Sequence, residues 1–203
     1  MVVISTKGTE PTGKICQICA LGRQHKEAET KTREKASEIL HTVHTDICGP
    51  MQTPTLNGER NFIPFTDEAS GRVSVSLLSS KGGALTAFHA YRMRAEKASG
   101  NEIKSLRSDG GGEYTNSTFR KYLEAAGIQH KVSPAYSPSQ NGRAERMNRT
   151  LMEGARCMLE DSQLGKEFSG YAVLTAAHIH NRLPSRTHNN TTPLEYGRAK
   201  CPE

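Results

Sequence analysis

The pattern of apolar and polar residues predicts a series of short strands and helices that begins near residue 39. Residues 41–47 alternate and end at a Cys-Gly-Pro turn, which is typical of a strand. The same reasoning predicts strands at 61–67, 72–78, 102–109 and 128–133, and helices at 84–98, 117–127, 143–160 and 167–182. Pro64 weakens the second strand, because proline has no N–H to donate to a ladder.

The order of these elements predicts the fold class. Three adjacent strands followed by two crossovers imply an α/β protein with a five-stranded mixed sheet and helices on both faces. This is the order of the ribonuclease H-like architecture. Because one architecture serves many activities, the order alone does not predict a function.

The segments that flank the predicted core differ from it in composition. Residues 1–38 contain a polar stretch, a Cys-x-x-Cys pair and a charged linker, so we expect a disordered lead-in. We place the core at 39–185 and a polar C-terminal extension at 186–203. The breaker-rich residues 134–142 are expected to form a loop before the long helix.

Charge and hydropathy narrow the class of partner. The net charge of +6, from 27 Lys and Arg against 21 Asp and Glu, favours a polyanionic partner. No apolar run reaches the roughly 20 residues of a membrane span, so we expect no membrane contact. The first residues lack the pattern of a secretory signal. Five scattered cysteines also argue against a disulfide framework.

Three carboxylates occupy informative positions. Asp46 lies in the C-terminal half of the first predicted strand, Asp109 ends the fourth, and Glu145 lies in the first turn of the long helix. If the first and fourth strands are neighbours, the two aspartates approach each other and the helix start adds the glutamate. We therefore expect the three to converge at one edge of the sheet.

Such a group fits metal-assisted phosphoryl transfer. Two divalent ions about 3.5–4 Å apart activate the attacking oxygen and stabilise the leaving one, and Mg²⁺ prefers carboxylate ligands. Taken singly, a strand-end Asp is usually a turn or cap residue, and a Glu at a helix start is stabilised by the helix dipole. The three together favour catalysis.

Three long segments resemble the integrases of copia-type retrotransposons. They are LHTVHTDICGPM (40–51), IKSLRSDGGGEY (103–114) and SPSQNGRAERMNRTLMEGARCML (137–159). HNRLPSRTHNNTTPLEY (180–196) is also similar to the end of that family's core. Thirty-five residues separate Asp109 from Glu145, as in the D,D-35-E signature of retroviral integrases.

The resemblance implies an enzyme that joins the 3′ ends of element DNA to a target phosphodiester. It assigns Asp46, Asp109 and Glu145 as catalytic ligands of two Mg²⁺ or Mn²⁺ ions. It further implies double-stranded DNA as partner, a homo-oligomer when active, and a nuclear location after a cytoplasmic particle stage. Candidate DNA contacts are Gln140, Asn141, Gly142, Arg143, Arg146, Asn148 and Arg149. For the arginines the alternative is a solvated helix face.

Cys16 and Cys19 match half of the family's His-His-Cys-Cys zinc module. A structural zinc site needs four ligands, and residues 1–15 contain no histidine. We therefore expect zinc to be bound poorly or not at all.

Two other functions remain open on the sequence. A domesticated or degraded integrase fold could bind nucleic acid without catalysis, and a ribonuclease acting on RNA–DNA hybrids would share the fold and metals. The presence of all three carboxylates favours the integrase over the binding module. The long helix segment around Glu145 favours it over the ribonuclease.

Overall fold

Five strands form one mixed sheet in the computed structural model, which describes residues 38–133, 138–185, 188 and 190–199, apart from the side chains of 138–141, 198 and 199. The strands are β1 (Thr42–Thr45), β2 (Asn61–Asp67), β3 (Val73–Leu78), β4 (Ser105–Ser108) and β5 (Gln129–Val132). Their order across the sheet is β3-β2-β1-β4-β5. β1, β2 and β3 pair antiparallel, whereas β4 is parallel to both β1 and β5. The predicted five-stranded mixed sheet is confirmed.

Helices cover both faces of the sheet, as predicted. They are α1 (Ala84–Ser99), α2 (Gly112–Thr115), α3 (Ser117–Ala125), α4 (Pro138–Ser162), α5 (Ser169–His180) and α6 (Pro193–Ala199). Short 3₁₀ helices at Lys81–Gly83 and Lys166–Phe168 precede α1 and α5. No helix in the described part of the chain is long and apolar enough to cross a membrane.

Local sequence determines where α1 ends and where α3 begins. Gly100 ends α1 in the left-handed conformation, at φ 71°, and its N–H donates to Glu96. Glycine adopts this conformation without the steric cost that a Cβ brings. Asn116 caps α3, because its side chain accepts a hydrogen bond from the Phe119 N–H.

Each face of the sheet carries its own apolar core. On one face, Phe88 of α1 and Phe119 of α3 stack at 5.8 Å between ring centroids and pack towards Leu106 of β4. On the other face, Leu151 of α4 and Val173 of α5 are fully buried against β2 and β3. α4 is therefore fixed along its C-terminal half by apolar packing.

The structure corrects the predicted start of the long helix. α4 begins at Pro138, not at 143, so residues 138–142 of the predicted loop are helical. Proline suits the first position of a helix, because the missing N–H would have no intrahelical partner there. The helices α2 and α6 were also not predicted, since each spans two turns or fewer and carries little periodic signal.

Pro64 lies inside β2, opposite Asp46. Thr45 pairs with Phe65, and the isolated bridge between Cys48 and Phe62 keeps the same register. The Phe62 N–H and C=O both bond to Cys48, so alternation points the backbone nitrogen of Pro64 towards β1. Since that nitrogen carries no hydrogen, β2 cannot donate a hydrogen bond to the backbone carbonyl of Asp46. The predicted strand is present, and the proline interrupts its pairing at this one position.

Candidate active site

Asp46 and Asp109 follow two neighbouring parallel strands. Register pairs His44 of β1 with Arg107 of β4, and each aspartate comes two residues further along its strand. The two carboxylates therefore leave the sheet side by side at one edge, on the face that α4 covers. The Asp109 carboxylate accepts a hydrogen bond of 3.1 Å from the Gly111 N–H, which fixes the turn after β4.

Asn148 of α4 holds Asp46 in two places. Its side-chain amide donates to the Asp46 backbone carbonyl at 3.1 Å and to the Asp46 carboxylate at 3.0 Å. Asn148 is 8% exposed, so water is largely excluded from these bonds. The bond to the carbonyl replaces the hydrogen bond that Pro64 cannot donate. The bond to the carboxylate orients the Asp46 side chain.

The electrostatic surroundings of Asp46 are strongly negative. Burial raises the pKa of this carboxyl to about 6, and the charges of Asp109 and Glu145 act in the same direction. The Asn148 hydrogen bond and the more distant Lys81 ammonium oppose the shift. The site therefore concentrates carboxylates without enough positive charge to balance them.

Glu145 lies on α4, one turn before Asn148, and its side chain is exposed. This spacing places both side chains on the same stripe of the helix, so Glu145 stands on the side of α4 that meets Asp46. The effect of Glu145 on the pKa of Asp46 shows that its charge reaches the site. The expected convergence of the three carboxylates at one sheet edge is thus observed at the level of their elements.

The three carboxylates do not form a closed cage in this conformation. Over the residues that the structure describes, no three His, Cys, Asp or Glu side chains are close enough together to hold a metal ion. The expected bridging distance among all three is therefore not reached. The donor set nevertheless suits a divalent cation, because hard carboxylate oxygens with excess negative charge are what Mg²⁺ binds.

An ion pair beside the carboxylates was not expected from the sequence. Lys81 lies 3.7 Å from the carboxylate of Glu113, on the segment after Asp109. Glu113 also approaches the site, since a Cβ added at Gly111 would lie 2.8 Å from Glu113 and 3.1 Å from Asp109. Of the three glycines that follow Asp109, Gly111 is the one at which a Cβ would crowd these carboxylates.

Tyr114 supports the site from the opposite face of the sheet. Its hydroxyl is 3.2 Å from the Thr45 hydroxyl, directly before Asp46, and its ring is fully buried. Burial raises the pKa of this phenol. The contact joins the ends of β1 and α2 and so fixes the two segments that carry Asp46 and Glu113.

A family model decides the relationship of this chain to known proteins. The model described as "Integrase core domain" matches residues 37–138, which is just over half of the chain. The chain belongs to the integrase core domain family. The matched segment contains Asp46 and Asp109 and ends before Glu145.

Relatives of this integrase core domain are retroelement polyproteins. It is 40% identical over 179 residues to "Retrovirus-related Pol polyprotein from transposon TNT 1-94" of Nicotiana tabacum, covering 88% of the chain and 13% of the relative. It is 29% identical over 179 residues to "Truncated transposon Ty1-A Gag-Pol polyprotein" of Saccharomyces cerevisiae, covering 84% of the chain and 15% of the relative. The chain therefore spans about one seventh of the polyproteins that it matches.

Two solved structures share the fold of this integrase core domain. A simian T-cell lymphotropic virus intasome, in complex with a PP2A regulatory subunit, gives a TM-score of 0.66 at 21% identity, covering 86% of this chain and 60% of that one. The catalytic core domain of HTLV-2 integrase, in complex with magnesium, gives a TM-score of 0.57 at 18% identity. The match covers 77% of this chain and 95% of that one. These matches confirm the ribonuclease H-like architecture.

The predicted DNA contacts of the integrase core domain fall on both sides of α4. Arg146 and Arg149 are exposed, and Arg143 is half-buried and donates to the backbone carbonyl of Glu68. Asn148 points inward to Asp46 instead of outward. Gly142 belongs to the helix and does not lie in a loop.

Four predicted site residues lie wholly or by their side chains outside the described part of the chain. The backbone of Gln140 and Asn141 is helical, but their side chains lie outside the described residues, as do Cys16 and Cys19 entirely. Their assignments to DNA and zinc stay predictions.

Proposed function

We propose that this integrase core domain carries out metal-dependent DNA strand transfer. In this reaction the 3′-hydroxyl of one DNA end attacks a phosphodiester of a second DNA, and the displaced 3′-oxygen leaves. The observation that carries the proposal is the meeting of Asp46, Asp109 and the Glu145 turn of α4 at one sheet edge, with Asn148 bonded to Asp46.

Asp46, Asp109 and Glu145 are the residues that would hold two Mg²⁺ or Mn²⁺ ions. When bound, the ions would activate the attacking hydroxyl and neutralise charge on the leaving oxygen. The raised pKa of Asp46, about 6, supports this role, because a nearby cation stabilises the charged carboxylate that burial disfavours.

The other residues of the site would orient the carboxylates and the DNA. Asn148 fixes the Asp46 carboxylate through a bond of 3.0 Å. The exposed Arg146 and Arg149, with Arg143 and the start of α4 at 140–142, would contact phosphates of double-stranded DNA. An active form would be a homo-oligomer in the nucleus, and the similarity to a viral intasome supports assembly on DNA.

The test is the joining of labelled DNA ends by the purified chain. Ends of the matching retroelement are incubated with target DNA and Mg²⁺ or Mn²⁺, and joined products are resolved on a denaturing gel. Products that require both protein and metal support the proposal. Their absence with both metals and suitable ends contradicts it.

One observation favours a second function, DNA binding without catalysis. In the described residues no three candidate ligands are close enough to share a metal ion. A chain that binds DNA, but neither binds Mn²⁺ nor joins ends, would be such a binding module.

A further inference from the structure

A cavity of about 480 Å³ lies on the flank of α4 away from Asp46. Thr66 and Glu68 line its sheet side, Arg143 and Arg146 line its helix side, and residues 183–185 close it from the C-terminal side. Its volume lies within the range of about 300–1,000 Å³ that small-ligand sites occupy.

Two guanidinium groups face this cavity from consecutive turns of α4. Arg143 and Arg146 are three residues apart, so they stand one above the other on the helix. Burial is the main cause that lowers the pKa of Arg143; Glu68 opposes the shift, and the nearby charge of Arg146 adds to it. A pair of like charges at this spacing disfavours the empty site and favours an anion between them.

Gly142 leaves room for this arrangement. A Cβ at that position would lie 3.3 Å from Nη1 of Arg146, so the guanidinium folds back over the glycine. Glycine within a helix is less stable than alanine, because it loses more conformational freedom on folding. Here the missing side chain leaves space for the Arg146 guanidinium.

The floor of the cavity contains buried polar groups that lack partners. The Thr66 hydroxyl is 2% exposed and has no hydrogen-bond partner within the described part of the chain. Behind it, its cross-strand neighbour His44 is 3% exposed; its Nδ1 has no such partner, whereas its Nε2 faces the Glu68 carboxylate at 3.6 Å. Buried polar atoms are normally hydrogen-bonded, so unpartnered donors beside a cavity indicate a ligand or water that completes them.

Glu68 limits which ligand fits. Among the described lining residues it is the one acid, and its carboxylate lies 3.6 Å from the His44 ring. The interaction with His44 is the main cause that lowers the pKa of Glu68, so the carboxylate is charged at neutral pH. A small free anion would be repelled by it. A phosphodiester carries a single charge and brings a sugar that can lie against the carboxylate.

We propose that this cavity binds one backbone phosphate of a nucleic-acid strand, shared by Arg143 and Arg146, with the Thr66 hydroxyl donating from the floor. The proposal rests on the proposed function, because the strand is DNA that extends past the carboxylates. It adds a specific subsite on the opposite flank of α4 from Glu145.

The salt dependence of DNA binding tests whether the two arginines share a phosphate. Binding of a labelled duplex is measured by fluorescence anisotropy over a range of NaCl concentrations. The slope of log K against log salt is negative, and each lost duplex phosphate contact reduces its magnitude by about 0.9. We expect Arg143→Gln, Arg146→Gln and the double variant all to reduce the magnitude of the slope by about one.

The control is Arg156→Gln, an exposed arginine further along α4 that does not line the cavity. It should leave the slope close to that of the wild type. A double variant in which the magnitude of the slope falls by about two would show that the arginines contact two separate surface phosphates. Arginine variants that behave like Arg156→Gln would show no phosphate there. Either result overturns the proposal.

Thr66→Val distinguishes the cavity from the outer surface. The substitution preserves shape and charge but removes the buried hydroxyl, so affinity should fall several-fold while the slope stays unchanged. Circular dichroism and thermal unfolding verify that the variant folds. If it folds and binds DNA like the wild type, the cavity floor does not contact the phosphate and the proposal is wrong.

Inorganic phosphate separates a DNA phosphate from a free anion. At matched ionic strength it should displace the duplex no better than chloride, because Glu68 repels the dianion. Strong displacement that the double arginine variant abolishes would show a free-phosphate site and overturn the proposal. If the wild type joins DNA ends while these variants bind normally, only the subsite fails. If the wild type binds no DNA, the proposed function fails.

Discussion

The side-chain amide of Asn148 donates to both the backbone carbonyl and the carboxylate of Asp46, at 3.1 and 3.0 Å. Pro64 stands opposite Asp46 in the sheet and offers no N–H to that carbonyl. A residue of α4 thus completes a ladder position of β1. The helix that carries Glu145 is thereby tied to the strand that carries Asp46.

Replacing Asn148 should therefore cost stability in a way that depends on Pro64. Asn148→Ala leaves the carbonyl of the half-buried Asp46 without this donor, so the free energy of unfolding should fall by about 1–2 kcal/mol. In a Pro64→Val background the new N–H can serve the carbonyl, so the same change should cost less. Urea unfolding of the four proteins gives the coupling between the two positions.

The control for this cycle is Asn57→Ala, which removes an exposed hydrogen bond to Tyr171. It should cost little and should not depend on residue 64. Equal costs of Asn148→Ala with proline or valine at position 64 would contradict the link between them.

The raised pKa of Asp46 predicts a pH dependence of stability. The folded carboxyl has a pKa of about 6 against an ordinary value of 3.8, so the folded state binds the proton more tightly than the unfolded state. The unfolding free energy should therefore fall as pH rises from about 4 to about 6 and stay low above that. Asp46→Asn removes this loss.

We expect Asp46→Asn to be more stable than the wild type at pH 7.5 without metal. The gain should be on the order of 1–2 kcal/mol after allowing for solvent screening of a partly exposed group, and it should vanish near pH 4. The quantity to measure is the difference between the two proteins, since Glu68 titrates with the opposite sign. A difference that does not change with pH would contradict the assignment.

Zinc content tests the expectation for Cys16 and Cys19. Two thiolates supply half of a tetrahedral site, so purified protein should contain well under one zinc per chain. Atomic absorption measures it, with Cys201→Ser as the control. One zinc per chain that is lost in Cys16→Ser would show that other residues complete the site.

Sequence pattern predicted the sheet and the order of its elements because alternation and helical spacing report burial directly. It misplaced the start of α4, since Asn141 and Gly142 are typical of turns although they are helical here. The Asn148 side chain was predicted to face DNA. The local sequence does not indicate that Asn148 bonds to the Asp46 carbonyl, because that carbonyl lacks a donor only through Pro64, 84 residues before Asn148.

The sequence also predicted part of the site, namely the residues whose position follows from the order of the strands. Asp46 and Asp109 are strand-end residues, so strand order alone brings them together. The cavity beside α4 depends on a Thr66 hydroxyl that is buried without a partner among the described residues, which no periodicity encodes. The Lys81–Glu113 ion pair likewise depends on how two separate loops pack.

Metal-dependent strand transfer by Asp46, Asp109 and Glu145 is tested by one comparison of variants. Joining of labelled DNA ends is measured in Mg²⁺ and Mn²⁺ for the wild type, Glu145→Gln and Glu153→Gln, which lies about two turns further along α4. Glu145→Gln keeps the shape but removes a negative ligand, so joining should fall by several orders of magnitude while DNA binding does not fall. Asp109→Asn should behave alike, and Glu153→Gln should stay nearly as active as the wild type. Wild-type joining by Glu145→Gln, with activity lost in Glu153→Gln, would contradict the account.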